Sequence, residues 1–239
     1  MYKRILLKLS GEALRDEKHL LTIDVDHLKR ITSVIKQLHD NGVEVAIVIG
    51  AGNIWRGKLA DKIGIEPVPA DFMGMLGTVI NAVAMASSLK NQGVDSLVYS
   101  AVPAIEGVTL PYSQKEADKS LSEGKVVFLA GGTGKPFFTT DTAAAMRAVE
   151  LNCNAIFMGK NGVDGIYTAD PDNDPNAQFI KTITFDEIIK RKLQVMDLSA
   201  VELIKNTGID VRVFSMAEPI NFLKVAKGED IGTTVKKGE

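Results

Sequence analysis

The sequence predicts an α/β protein: an open, mostly parallel, twisted sheet with helices on both faces. Three observations carry this expectation. Short runs that are apolar on both faces recur along the 239 residues, as strands buried in a parallel sheet must be. Segments of helical period separate those runs, the alternation that crossover connections require. Clusters of glycine follow the runs at their carboxyl ends, where open parallel sheets bind their ligands.

The elements follow in order. "RILLKL" (Arg4–Leu9) is the first strand. Leu28, Ile31, Ile35 and Leu38 then repeat at helical spacing, and Asn41-Gly42 stops that helix. "VEVAIVI" (43–49) is a continuous apolar strand, and a helix over 72–92 places Leu76, Val79, Ile80, Val83 and Leu89 on one face before Gly93 closes it. "SLVYSA", a helix over 114–121 and "VVFLA" (Val126–Ala130) come next. A helix over 142–151, the strand "AIFMG", helices near 186–192 and 198–206, then "VRVFS" and "INFLKVAKG" complete the alternation. The stretch "TADPDNDPNAQ" (168–178) is the one long turn-rich loop. With no repeat, low-complexity tract or linker, residues 1–239 read as a single domain.

Composition narrows the function classes. Hydrophobic residues make up 45% and charged residues 24%, ordinary globular usage. A net charge of -2 and a pI near 6.0 give no global basic field, so no nucleic-acid partner is expected. Cys153 is the only cysteine, which excludes an internal disulfide and suits a reducing cytoplasm. Lys8 interrupts the N-terminal apolar stretch too early for a signal peptide. The longest apolar run, around "VAIVIGAG", is far short of the roughly 20 residues a membrane helix needs. His19, His27 and His39 are scattered without metal-ligand spacing and read as residues of solvated faces.

Glycines mark the candidate site. Ser10-Gly11 follows the first strand, Gly50-Ala51-Gly52 the second, Gly131 to Gly134 a middle one and Gly159 to Gly165 the next. Tight βα turns alone would explain one or two such exits; four describe a groove where backbone approaches a ligand closely. Two nucleotide motifs fail. A P-loop aligned on Gly134-Lys135 needs glycine at 129 and a hydroxyl at 136, where Leu129 and Pro136 stand. "GAGNIWRG" has Trp55 where a dinucleotide fingerprint needs its third glycine.

Several charges need a reason. Lys8 lies inside an apolar strand, either snorkelling from its end or meeting an anion. Arg56 follows the second glycine turn and is as readily a surface residue. Asp71, Asp141 and Asp197 each stand near a helix start, where capping is the ordinary explanation. The helix after Thr139-Thr140-Asp141 offers free N–H groups and a positive dipole end to an anion. Two cations, acidic residues and these hydroxyls together favour phosphoryl transfer over simple binding.

"KLSGEAL", "VIGAGNIWRG", "ADFMGMLGTVINA", "GGTGKPFFTTDTAA", "VDGIYTADP", "VMDLSA" and "VRVFS" run in order over nearly the whole chain, and in this they resemble the bacterial uridylate kinases of the amino acid kinase superfamily. The resemblance implies a three-layer sandwich that passes the ATP γ-phosphoryl to UMP, with Mg²⁺ carried by ATP rather than by a dedicated protein site. It implies a cytoplasmic homohexamer with UTP as feedback inhibitor. By matching position, Lys8, Leu9, Ser10, Gly11, Gly52 and Arg56 would line the ATP phosphates, and Asn161, Tyr167 and Asp170 the adenine side. Ala51, Asp71, Thr133, Gly134, Lys135, Pro136, Phe137, Phe138, Thr139 and Thr140 would hold UMP. Lys8, Arg56, Asp141 and Asp197 would be catalytic, the two aspartates ordering Lys8 and the metal. Residues 1–150 would form the acceptor side and 151–239 the ATP side. Ala51 replaces a frequent glycine, Lys135 a frequent asparagine and Asn161 a frequent threonine, and 15–24 is unlike the versions associated with GTP activation.

No general base is needed for an acceptor that is already anionic, which agrees with the absence of histidine from these motifs. Three alternatives remain: a sister kinase acting on a carboxylate or carbamate, a nucleotide-binding protein without turnover, and an NAD-dependent enzyme.

Overall fold

The computed structural model describes residues 2–16, 21–160, 162–171, 173–193 and 195–238. The N-terminal half runs β1 (Arg4–Leu9), α1 (Val25–Asp40), β2 (Glu44–Ile49), α2 (Ala60–Ile63), α3 (Pro67–Asn91), β3 (Ser96–Ser100), β4 (Leu110–Pro111), α4 (Gln114–Ser122), β5 (Val126–Ala130) and α5 (Thr140–Glu150). The rest runs β6 (Ala155–Lys160), β7 (Ile166–Tyr167), β8 (Phe179–Ile180), β9 (Thr182–Thr184), α6 (Phe185–Arg191), α7 (Leu198–Ile204), β10 (Asp210–Ser215), α8 (Asn221–Ala226) and β11 (Thr233–Lys236).

Nine strands form one sheet in the order β4-β3-β5-β2-β1-β6-β10-β11-β9. Among the described residues of this sheet only the β10–β11 pair is antiparallel. Side chains alternate between faces along each strand. Ile5, Leu7 and Leu9 pack with α1, α3 and α8, whereas Leu6 packs with α4 to α7. The result is helix, sheet, helix, with fully buried Phe128 and Phe157 at the centre. Each such side chain contributes about 1.5–3 kcal/mol by leaving water.

Local chemistry sets the boundaries. Asp24 caps α1 by accepting from the backbone N–H groups of Asp26 and His27. Thr184 and Glu187 form a reciprocal capping box on α6. Pro67 sits in the first turn of α3, where its missing N–H costs no hydrogen bond. The helix therefore begins ahead of the expected Phe72, and Asp71 lies inside it rather than before it. "INFLKVAKG" yields a helix. The short strands β4, β7, β8, β9 and β11 carry too few residues for a periodic signal.

α3 also corrects the search for long apolar segments. The helix has 25 residues and holds an 18-residue window of mean hydropathy 1.5, long and apolar enough to cross a membrane by length and composition alone. Interspersed glycine, serine and asparagine hid this from a search for unbroken runs. Nearly half of that window, 44%, is buried inside the protein. His27 and His39 are not simply solvated: their ring nitrogens lie 2.9 Å from the carbonyls of Arg15 and Gly124. His19 lies outside the described residues.

Candidate phosphoryl-transfer site

The four strands that end in glycine turns are consecutive neighbours, β5-β2-β1-β6, and all run parallel. Their turns therefore lie side by side along one edge of the sheet. At its middle, Gly11 packs backbone on backbone against the second turn. A Cβ there would stand 2.4 Å from Asn53 Oδ1 and 2.5 Å from the Gly50 carbonyl. Behind this junction Asn81 donates to the Gly50 carbonyl at 2.8 Å, and Asn53 and Asn81 exchange amide hydrogen bonds of 2.8 and 3.0 Å. Both asparagines are buried. Sequence reasoning missed them, because the pair joins a turn to a helix 28 residues away and no short motif records it.

Lys8 rises from β1 on the Leu6 face. Its ammonium lies 2.7 Å from Asp141 Oδ1, with only about a fifth of either side chain exposed. Asp141 is not the cap of α5: Thr139 holds that position and accepts from the Thr142 N–H. Asp197 occupies the cap position of α7 without a capping bond, and its carboxylate accepts from the Thr139 hydroxyl instead. Capping thus fails as the explanation of both aspartates. Ser10 accepts from the Glu12 N–H, and Leu9 turns its side chain into the opposite core, leaving its backbone at the edge. Arg56 spans the two glycine turns, 2.7 Å from Glu12 Oε1 and 3.3 Å from the Gly52 carbonyl.

On one side of Lys8 lies the loop after β5. Gly134 needs its left-handed φ of 76°, and a Cβ would meet the Ala101 carbonyl at 2.7 Å. Thr78 accepts from the Gly131 N–H at 2.8 Å, and Asp71 accepts from the Phe137 N–H at 2.6 Å. Thr133 accepts from the Lys135 N–H, and Phe137 and Phe138 are exposed along the loop. Ala51 is buried against Gly77 of α3, beside the second turn, and Thr140 opens α5 with its hydroxyl facing Gly50. Arg147, 5% exposed, stacks 3.6 Å over Tyr112 and pairs with Glu150 at 2.6 Å. Burial raises the Tyr112 pKa, as does its bond to Glu150.

On the other side, a cavity of about 520 Å³ is lined by Tyr167, Asp170, Pro171, Arg191 and Lys160. The Tyr167 hydroxyl donates to Asp164 at 2.7 Å, which holds its pKa above the ordinary tyrosine value. Asp170 accepts from Asn173 at 2.6 Å. Asn161 lies outside the described residues. Lys160 closes β6, one residue beyond the strand "AIFMG" that the sequence marks, so its pattern does not single it out as the position inside β1 singles out Lys8.

Among the described residues no group of three or more His, Cys, Asp or Glu side chains stands together for a metal. Asp141 pairs with Lys8 and Asp197 accepts from the Thr139 hydroxyl, so each carboxylate is already engaged. They fit a divalent ion that arrives with phosphate oxygens as its main ligands.

A half-buried lysine paired with a carboxylate, set between a glycine-rich loop and a cavity at the carboxyl edge of a parallel sheet, marks an α/β protein with a ligand site at that edge. The chain belongs to the amino acid kinase family, whose model matches residues 3–215. It is similar to the UMP kinase of Bacillus anthracis at 36% identity and a TM-score of 0.95, over 100% of this chain and 97% of that one. The UMP kinase of Ureaplasma parvum matches at 35% identity and TM-score 0.92, over 99% and 100%. A uridylate kinase of Archaeoglobus fulgidus shares 26% identity at TM-score 0.75, over 97% and 99%.

Proposed function

We propose that this protein transfers the γ-phosphoryl group of ATP to UMP, giving ADP and UDP for pyrimidine nucleotide biosynthesis. The observation that carries the reading is the Lys8–Asp141 pair, set between the loop after β5 and the cavity beyond β6. On this reading residues 1–150 supply the acceptor side and 151–239 the ATP side of a single domain. The similarity to UMP kinases over the whole chain supports the choice of acceptor.

The chemistry follows from charge. A UMP phosphate oxygen attacks the γ-phosphorus while the bridging bond to the β-phosphate breaks and its electron pair leaves with ADP. No base is needed, since the attacking oxygen is already ionised near pH 7. The barrier is largely the approach of one anion to another. Lys8, oriented by Asp141, meets the transferring group, and Arg56 and the amides of Ser10, Gly11 and Gly52 face the donor phosphates. Mg²⁺ bound to ATP supplies further neutralisation of phosphate charge. Asp71 and the run Thr133 to Thr140 hold UMP, with Ala51 beneath it and Asp71 accepting from sugar hydroxyls. Asn161, Tyr167 and Asp170 receive the adenine nucleotide.

Assembly belongs to the same proposal. Phe72, Leu76 and Ile80 of α3 are exposed at helical spacing, an apolar stripe that supports a homo-oligomer, for which a hexamer is proposed. UTP is proposed to inhibit through the uridine site, and the cytoplasm is the proposed location. The test is ADP release with UMP, CMP, dUMP, N-acetylglutamate and carbamate as acceptors. UMP should be preferred; preference for a carboxylate or carbamate would overturn the reading.

A further inference from the structure

A second lysine shares the strand edge with Lys8. Met158 is the cross-strand partner of Lys8, and Lys160 lies two residues beyond it at the end of β6. With a side-chain period of two, Lys8, Met158 and Lys160 face the same side of the sheet, where Met158 is buried among α5 and α7. Lys160 is therefore displaced from Lys8 by one strand, ~4.8 Å, toward the nucleotide cavity, and by two residues, ~6.6 Å, outward along the edge. It lines that cavity with Tyr167 and Asp170.

The Lys160 ammonium donates to the Val195 carbonyl at 3.1 Å. A tether to a carbonyl could come from any neutral donor, with no cost for burying charge. Burial pushes the Lys160 pKa down and the neighbouring Lys8 charge adds to this, while Asp141 and Asp197 oppose it. Keeping a second cation there is unfavourable unless an anion meets it. Lys8 is already paired with Asp141 and Arg56 with Glu12, whereas the Lys160 ammonium donates to a neutral carbonyl, which leaves its charge for the donor phosphates.

We propose that Lys160 is a further phosphate-contacting cation beside Lys8 and Arg56, placed on the donor side against the β-phosphate of the adenine nucleotide. The inference rests on the proposed phosphoryl transfer. As the acceptor oxygen forms its bond to the γ-phosphorus, the bridging bond breaks and its electron pair stays on a β-phosphate oxygen of ADP. The Lys160 ammonium hydrogen-bonds that oxygen and keeps its proton throughout. Lys8 holds the group in transit, and Lys160 holds the charge left behind.

The test uses the full chain with Lys160→Gln, which keeps a donor for Val195 but removes the charge, and Lys160→Arg, which keeps the charge. Lys160→Gln should lower kcat roughly 100-fold, the low end of the range for one lost transition-state donor, with KM for UMP within about twofold. By calorimetry its ADP affinity should fall about 10-fold while AMP affinity, with no β-phosphate present, stays unchanged. The ammonium form is the active one, so kcat/KM for ATP should fall on the alkaline side below the ordinary lysine value of about 10.4. In Lys160→Arg that limb should move up. The charges facing Lys160 are Lys8 from β1, Asp141 from α5, Asp197 before α7, Arg191 and Lys192 closing α6, and Asp170 from the loop after β7. Wild-type turnover and wild-type ADP affinity in Lys160→Gln would overturn the inference and leave the UMP reading intact. A wild-type protein that binds ADP yet releases none from ATP and UMP would overturn the UMP reading, while the ADP-against-AMP comparison still decides Lys160.

Discussion

The Asp71 carboxylate accepts a 2.6 Å hydrogen bond from the backbone N–H of Phe137, tying the start of α3 to the loop after β5 across 66 positions of sequence. Phe137 has a φ of 70°, a left-handed conformation that costs a non-glycine residue on the order of 1–3 kcal/mol and needs such a restraint to persist. One carboxylate therefore shapes the loop and, on the proposed reading, also accepts from the sugar of UMP.

Asp71→Asn separates these two roles. The amide oxygen can still accept from Phe137, so melting temperature should hold, while the charge available to a sugar hydroxyl is gone. A hydrogen bond to a charged acceptor contributes about 1.5–3 kcal/mol, so KM for UMP should rise roughly 10-fold with KM for ATP unchanged. UTP inhibition should weaken in parallel. Loss of ATP affinity with UMP affinity intact would place Asp71 on the other side of the groove.

Lys8→Ala should lower turnover roughly 100- to 1000-fold, the range for losing one transition-state donor. Circular dichroism should show an intact fold. Turnover within a few fold of the unmodified protein would remove Lys8 from the chemistry.

Asp141 and Thr139 give a paired prediction. Because Thr139 caps α5, Thr139→Ala should cost about 1 kcal/mol of stability. Asp141→Asn should melt near the unmodified protein yet lose at least about 100-fold in kcat, since it no longer fixes the Lys8 charge. Thermal melts and steady-state kinetics on both variants check this; an active, unstable Asp141→Asn would restore the capping explanation.

Asn81→Ala strands the Gly50 carbonyl and the Asn53 amide in a buried site. Each unsatisfied group costs about 1–3 kcal/mol, and each kcal/mol lowers the melting temperature by roughly 2–4 °C at this chain length. Calorimetry should show that fall together with a raised KM for ATP. An unchanged melt would mean the asparagine pair does not hold the turns.

Cys153 gives a pH dependence. It is buried at 4% exposure, and burial pushes its thiol up to about 12. Below the unfolded value of about 8.5 the thiol is protonated in both states and stability is unaffected. Between there and about 12 only the unfolded chain ionises, so stability falls, approaching about 1.4 kcal/mol per pH unit. Denaturant unfolding at pH 8 and pH 10 should show that loss, and Cys153→Ala should reduce it.

The fold was legible where apolar period was dense. β1 and β5 were found to the residue, since buried parallel strands carry their pattern in their own side chains. The site was legible as glycine exits and isolated charges, but neither signal states which turns become neighbours. What escaped was non-local or brief. Asn53 and Asn81 meet only after α3 folds back on β2. Lys160 fell one residue past an expected strand that stopped at Gly159. Asp71 reads from the sequence as preceding its helix because helical spacing is clear only beyond the prolines at 67 and 69. The aspartates at 141 and 197 carried the sequence mark of caps, and only the tertiary positions of Lys8 and Thr139 show them turned to other partners.

The position of β1 in the sheet bears on how the chain acquires its structure during synthesis. β1 pairs on one side with β2, some 40 residues later, and on the other with β6, some 150 residues later. At about 5–20 residues per second, the β6 edge of this apolar strand stays open on the ribosome for roughly 8–30 s after β1 is made. An open apolar edge invites pairing with other chains. The vulnerable interval closes only when residues 155–160 dock, so slowing translation within the segment before them should raise aggregation of the nascent protein, whereas slowing it afterwards should have little effect.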